Sequence, residues 1–170
     1  MHREILFSQA EIATAVKTLA HKIATSKIVP NLAAPILVGG YVFAADLLRA
    51  LTEEGYSLPT DFVWLRSYVG QEPKKTMRVL VPPSENFRGK NVLLIDGVLD
   101  TGKTLQKASE LALQYGASTV QTAVIVDKGR PDALSKADFA GFTGIDAFIV
   151  GYGMDDSGTD RALPYIAKAK

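Results

Sequence analysis

Cysteine is absent from the chain, which removes disulfides, thiolate metal sites and cysteine nucleophiles from consideration. A reducing compartment suits such a chain, and a cytoplasmic location is expected. An excess of either charge is also missing: 19 basic residues against 18 acidic ones leave a formal net charge of +1. Attraction to phosphate must therefore be local, because the whole-molecule field of a nucleic-acid binder is lacking. No stretch approaches the roughly 18 apolar residues that a membrane span needs. Histidine occurs only at His2 and His21, far from every segment singled out below, and neither is assigned chemistry.

What is present suits one ordinary globular domain. With 170 residues, 47% of them hydrophobic, the chain is long enough to bury a proper core, and a single domain over residues 1–170 is expected. The opening "MHREILFSQAEIATAVKTLAHKIATSK" lacks the apolar core and cleavage site of a secretory signal. It reads as a folded amphipathic helix: Ser8 and Glu11 make a capping box, Phe7 and Ile12 a hydrophobic staple, and Ile12, Val16, Leu19, Ala20 and Ile23 recur at helical spacing. Further on, apolar runs of strand length alternate with helix-period stretches, as in "APILV" then "YVFAADLLRALTEEG", "VLLI" then "TLQKASELALQYG", and "TVQTAVIV". "DFVWLRSY", "MRVLVP" and "DAFIVGYG" are further strand candidates, and "VGQEPKKTM" reads as a mobile loop. The pattern predicts an α/β fold with a mainly parallel sheet covered by helices. Ligands of such sheets lie beyond the carboxyl ends of the strands. Four of those ends carry polar or glycine residues: Gly39-Gly40, Asp96 to Thr104, Asp127-Lys128, and Gly151 to Arg161.

The second of these ends poses a question. In "NVLLIDGVLDTGKTLQ", Gly97 and Gly102-Lys103-Thr104 have the spacing of a triphosphate-binding P-loop. A strand, a turn of small residues and a helix start would aim backbone N–H groups and the positive end of a helix dipole at one anion. A P-loop would nevertheless place Asp100 against a polyanion. Two like unit charges about 4 Å apart repel by roughly 4 kcal/mol at an effective dielectric of 20. A better ligand has one phosphate for the Thr101–Thr104 turn and hydroxyls or an acidic proton for Asp96 and Asp100. A sugar phosphate has those parts.

The stretch "VLLIDGVLDTGKT" resembles the phosphoribosyl pyrophosphate (PRPP) signature of the type I phosphoribosyltransferases. "PILVGGYVFAADLLRAL", "DFVWLRSY" and "DAFIVGYGMD" with Arg161 are similar to segments of the hypoxanthine-guanine branch, in order and spacing over roughly residues 33 to 165. The resemblance implies the type I phosphoribosyltransferase fold, with a small hood from the N- and C-terminal regions. It also implies transfer of the 5-phosphoribosyl group from PRPP to N9 of a 6-oxopurine, with release of pyrophosphate, in purine salvage.

By the same resemblance, Asp100 is the general base at purine N7, and Thr101, Gly102, Lys103 and Thr104 hold the 5'-phosphate. Asp96 binds ribose hydroxyls, directly or through a metal. Lys128, Phe148 and Ile149 take the purine. Val38, Gly39 and Arg161 take pyrophosphate, and Asp155 binds Mg2+. Ser67 and Tyr68 begin a lid. The implied partners are PRPP, the purine base and their products; nucleic acid and membrane are not expected, and a homodimer or homotetramer is. Two positions depart from the family pattern: Gly97 stands where a second carboxylate is usual, and Val38 where a lysine is common. A nucleotide-sensing RNA-binding regulator on the same fold remains an alternative, as does the triphosphatase. Residue by residue, ordinary structural readings also exist: Asp96 and Asp100 as turn and cap residues, Phe148 as core, Trp64 as core or interface, Asp156 and Asp160 as solvated.

Overall fold

The alternation of apolar runs is realised in a computed structural model that describes residues 3–68 and 76–169, with Ser67, Tyr68 and Thr76 described as backbone only. Six strands form the central sheet. They are β2 (Leu32–Leu37), β3 (Val63–Tyr68), β4 (Thr76–Val81), β5 (Asn91–Leu99), β6 (Thr119–Asp127) and β7 (Phe139–Thr143), in spatial order β4-β3-β2-β5-β6-β7. All neighbours are parallel except the β3–β4 pair at one edge. The chain moves outward in one direction from β2 and in the other from β5, so the switch point at which such sheets bind ligands lies between those two strands.

Strand residues feed two cores in alternation, because successive side chains point to opposite faces. Leu32, Ala34, Ile36, Val92 and Leu94 join one core, closed by α3 (Lys103–Gln114) through Leu105, Ala108, Leu111 and Ala112. Ala33, Leu93, Ile95 and Ile125 join the other, closed by α1 (Gln9–Ala24) and α2 (Tyr41–Glu53). The first helix begins where the sequence places it. Ser8 caps it, Glu11 returns a bond to the Ser8 N–H, and Ile12, Val16, Leu19, Ala20 and Ile23 are all buried. No helix among the described residues is long and apolar enough to cross a membrane.

The hood is a separate antiparallel sheet of β1 (Ile5–Phe7), β9 (Ile166–Lys168) and β8 (Ile149–Val150). "DAFIVGYG" therefore does not supply a strand of the parallel sheet, as its apolar run suggests. Only two of its residues pair, and they pair with the C-terminal segment. Conversely, the sequence pattern does not reveal β7, whose five residues are at most half-buried and are interrupted by Gly141. A Cβ at Gly141 would stand 2.8 Å from the Ile125 carbonyl oxygen, so the strand needs glycine to close on β6.

Candidate active site

The carboxyl ends of β2, β5 and β6 converge beside the switch point. β5 does not stop at Ile95 but runs on to Leu99, held by the β6 partners Asp96↔Val124, Val98↔Val126 and Leu99↔Asp127. Gly97 is thus a strand residue, and only Asp100, Thr101 and Gly102 separate β5 from α3. A P-loop needs its first glycine at the start of a longer loop that wraps the phosphate; here the triphosphatase spacing has no such loop behind it.

The short turn forms a cavity of about 210 Å³ lined by Asp96, Asp100, Thr101, Gly102, Lys103 and Thr104 among others. Gly102 has φ +76, and a Cβ there would fall 2.6 Å from Ser135 N and Oγ. That conformation suits glycine, which pays no Cβ penalty in the left-handed region. Ser135 Oγ donates to the Gly102 carbonyl at 2.9 Å, and Leu134 N–H donates to the Thr101 carbonyl at 2.9 Å. Held from behind in this way, the turn brings the first residues of α3 to the wall of the cavity, and a helix start, whose first N–H groups lack intrahelical partners, favours an anion.

Asp96 is buried at 9% exposure, and its Oδ1 accepts the Gly97 N–H at 2.7 Å. Burial pushes its carboxyl up to about 7, against the opposing effect of that hydrogen bond. At the tip of β5, Asp100 is doubly paired: Lys128 Nζ lies 3.1 Å from Oδ2 and Arg130 Nη1 3.3 Å from Oδ1. Lys128 is held just beyond β6, its own N–H donating to the Leu99 carbonyl. Arg130 also forks onto Asp132 through two bonds of 3.0 Å, which holds its guanidinium more firmly charged and the Asp132 carboxyl below its usual range. The sequence reading missed Arg130; its place two residues after Lys128, on the turn after β6, was the available signal.

A second cleft, about 450 Å³, lies between β3, the loop after β2 and the segment after β8, and is lined by Val38, Trp64, Leu65, Arg66, Asp155 and Arg161. Asp155 and Arg161 meet at 2.7 Å, and Arg161 also donates to the Gly153 carbonyl. Three glycines close this region. A Cβ at Gly97 would stand 2.8 Å, and one at Gly153 2.5 Å, from the Gly39 carbonyl oxygen, so the loop seats its peptide between two residues that have no side chain. Tyr152, buried and at φ +49, donates its hydroxyl to Asp46 Oδ2 on α2 at 2.7 Å. Burial, then that carboxylate, push its phenol well above the usual tyrosine range, so it is a neutral donor.

Phe148 is 59% exposed, which overturns its reading as core. Ile149 is the reverse, buried within the core and paired in β8. No hydrogen bond or ring contact joins Phe148 to Asp100 or Lys128 among the described residues. Asp160, read as solvated, is paired with Arg3 at 2.6 Å. Ser67 and Tyr68 end β3 as backbone only; their side chains and the segment 69–75 lie outside the described residues. A cavity of about 580 Å³ elsewhere, between α1, α2 and residues 162–164, is mainly apolar and shares Arg161 with the lining of the second cleft.

A family model described as phosphoribosyl transferase domain matches residues 2–157, and the chain belongs to that family. The chain is 32% identical to the hypoxanthine-guanine phosphoribosyltransferase of Aquifex aeolicus, covering 96% of this chain and 92% of that protein. It is 32% identical to the hypoxanthine phosphoribosyltransferase of Escherichia coli, covering 97% and 94%. A solved structure of the hypoxanthine phosphoribosyltransferase from Trypanosoma cruzi, in complex with the product IMP, superimposes with a TM-score of 0.86 at 28% identity, covering 98% of this chain and 94% of that one. Within the family, its place is the hypoxanthine-guanine branch.

Proposed function

We propose that this chain transfers the 5-phosphoribosyl group of PRPP to N9 of hypoxanthine or guanine, releasing pyrophosphate and forming the purine mononucleotide. The observation that carries this reading is the 3.1 Å approach of Lys128 Nζ to Asp100 Oδ2, a donor and an acceptor side by side next to the phosphate cradle. A 6-oxopurine offers the complementary pair, an O6 acceptor next to an N7–H donor. On binding, Lys128 would turn from Asp100 to O6, and Asp100 Oδ2 would accept the N7 proton as N9 attacks the anomeric carbon. Adenine presents an amino group where Lys128 needs an acceptor, and is rejected for that unpaired contact.

The other assignments follow the two cavities. Thr101 to Thr104 would hold the 5'-phosphate, Asp96 the ribose hydroxyls, and Val38 and Gly39 the pyrophosphate through their backbone. Arg161 would stabilise the leaving group as its charge grows. The exposed Phe148 ring is free to stack on the base, with Ile149 anchoring its position from the core. Ser67 and Tyr68 would start a lid that excludes water.

Asp155 and Asp96 suit Mg2+, a hard cation that takes one or two carboxylates and completes its shell with water and substrate phosphate oxygens. No cluster of three or more His, Cys, Asp or Glu able to hold a metal occurs among the described residues. When bound, it would add positive charge next to the departing pyrophosphate. We expect a cytoplasmic enzyme that assembles as a homodimer or homotetramer, an expectation that light scattering on the purified protein tests. Incubation with PRPP, Mg2+ and each purine tests the activity. IMP and GMP are expected, and AMP is not. No product with any 6-oxopurine would sink the reading.

A further inference from the structure

The cleft assigned to pyrophosphate must handle a polyanion, yet its loop presents an apolar Val38, 39% exposed. Its evident cation, Arg161, is already occupied by Asp155 Oδ1 and the Gly153 carbonyl. One more cation reaches the same space. β3 alternates its side chains, so Trp64 and Arg66 share a face, and both line the cleft with Val38, Asp155 and Arg161.

Arg66 differs from four of the other arginines of the molecule. Arg3, Arg49, Arg130 and Arg161 are each paired with an aspartate. Arg66 is exposed and has no hydrogen bond or ion pair among the described residues. The residue directly across from it on β4 is Arg78, another cation, rather than a carboxylate. An uncompensated guanidinium at the wall of a cleft favours an anion there. Its planar fork matches phosphate oxygens in pairs.

We propose that Arg66 binds the pyrophosphate group of PRPP and of the released product, supplying from β3 the positive charge that Val38 does not supply from the loop. The proposal rests on the transferase reading, and its test separates the two. Trp64 is the chain's only tryptophan and lines the same cleft, so its fluorescence should report filling of that space.

The experiment titrates the full-length protein with inorganic pyrophosphate and Mg2+, and separately with IMP, following Trp64 fluorescence and binding heat. Arg66→Gln is expected to weaken pyrophosphate about tenfold or more and leave IMP, which has no pyrophosphate group, within about twofold, a tenfold change being about 1.4 kcal/mol. Arg66→Lys should retain most of the affinity. Val38→Lys in the Arg66→Gln background should restore a large part of it. Pyrophosphate affinity unchanged in Arg66→Gln would overturn the proposal. So would a parallel loss of IMP affinity, which marks a structural role, or a double variant no tighter than the single one. A wild type that makes no IMP overturns the function instead; a wild type that turns over normally, with Arg66→Gln indistinguishable from it, overturns only the role of Arg66.

Discussion

The turn at residues 100–102 is strapped from behind by Leu134 and Ser135 and opens directly into α3. The loop at residues 38–40 is seated instead against glycines of two distant segments, Gly97 and Gly153. Both are proposed to hold phosphate, but one would do so with the N–H groups of a contiguous strand, turn and helix. The other depends on backbone surfaces that meet only in the folded state. The first arrangement leans on one other segment, through hydrogen bonds at its back; the second is closed on two sides, because a side chain at either glycine would strike its carbonyl.

Four substitutions sharpen or break this contrast. The largest effect is expected on the turn side, where the chemistry is assigned. Asp100→Asn should cut kcat by roughly 10²- to 10⁴-fold, the usual worth of a general base, while the KM for PRPP stays close to wild type; an equal loss of PRPP binding would show Asp100 to be part of the cradle instead. Gly102→Ala attacks the strap, forcing a side chain into the left-handed region and against Ser135. A stability loss on the order of 1–3 kcal/mol and a raised KM for PRPP are expected, read by denaturant melts and initial rates.

On the loop side, Gly97→Asp introduces the second carboxylate that the resemblance leads one to expect and tests the contrast most directly. If the ribose contact governed, PRPP would bind more tightly. The 2.8 Å approach to the Gly39 carbonyl predicts the opposite, a KM for PRPP raised by about tenfold, since overpacking typically costs about 1–3 kcal/mol. Smallest is Glu11→Gln, remote from both regions. The bonds from Ser8 hold the Glu11 carboxyl below its ordinary value. Its contribution to the α1 cap is therefore full above the unfolded value and lost as pH falls through the lowered, folded one. The melting-temperature difference between wild type and variant should be present at neutral pH and vanish in acid, with neither KM altered.

The same contrast explains what could be read in advance. The start of α1, its buried stripe and the strand, turn and helix around residues 91–114 all rest on local spacing, whereas the contact between Asp100 and Lys128 joins two strand ends and was not anticipated. The extension of β5 past Asp96 was not legible, because an acid and a glycine look like the end of a strand until β6 supplies the ladder. The assignment of β8 to the hood was hidden for a related reason: a short apolar run reads alike in either sheet. The pairing of Arg3 with Asp160 joins residues 157 positions apart, and the cleft that contains Arg66 draws on three separate segments; neither leaves a periodic trace.

The Gly39 carbonyl, enclosed by Gly97 and Gly153, also bears on how this site can be redesigned or can diverge. Positions in direct contact do not contribute independently to a change, so a library that varies residue 97 alone would sample mostly weakened variants and misjudge what the scaffold can accept. Residues 38–40, 97 and 153 make up one heritable unit. An acid at position 97 becomes accessible only along a path on which the loop shifts first.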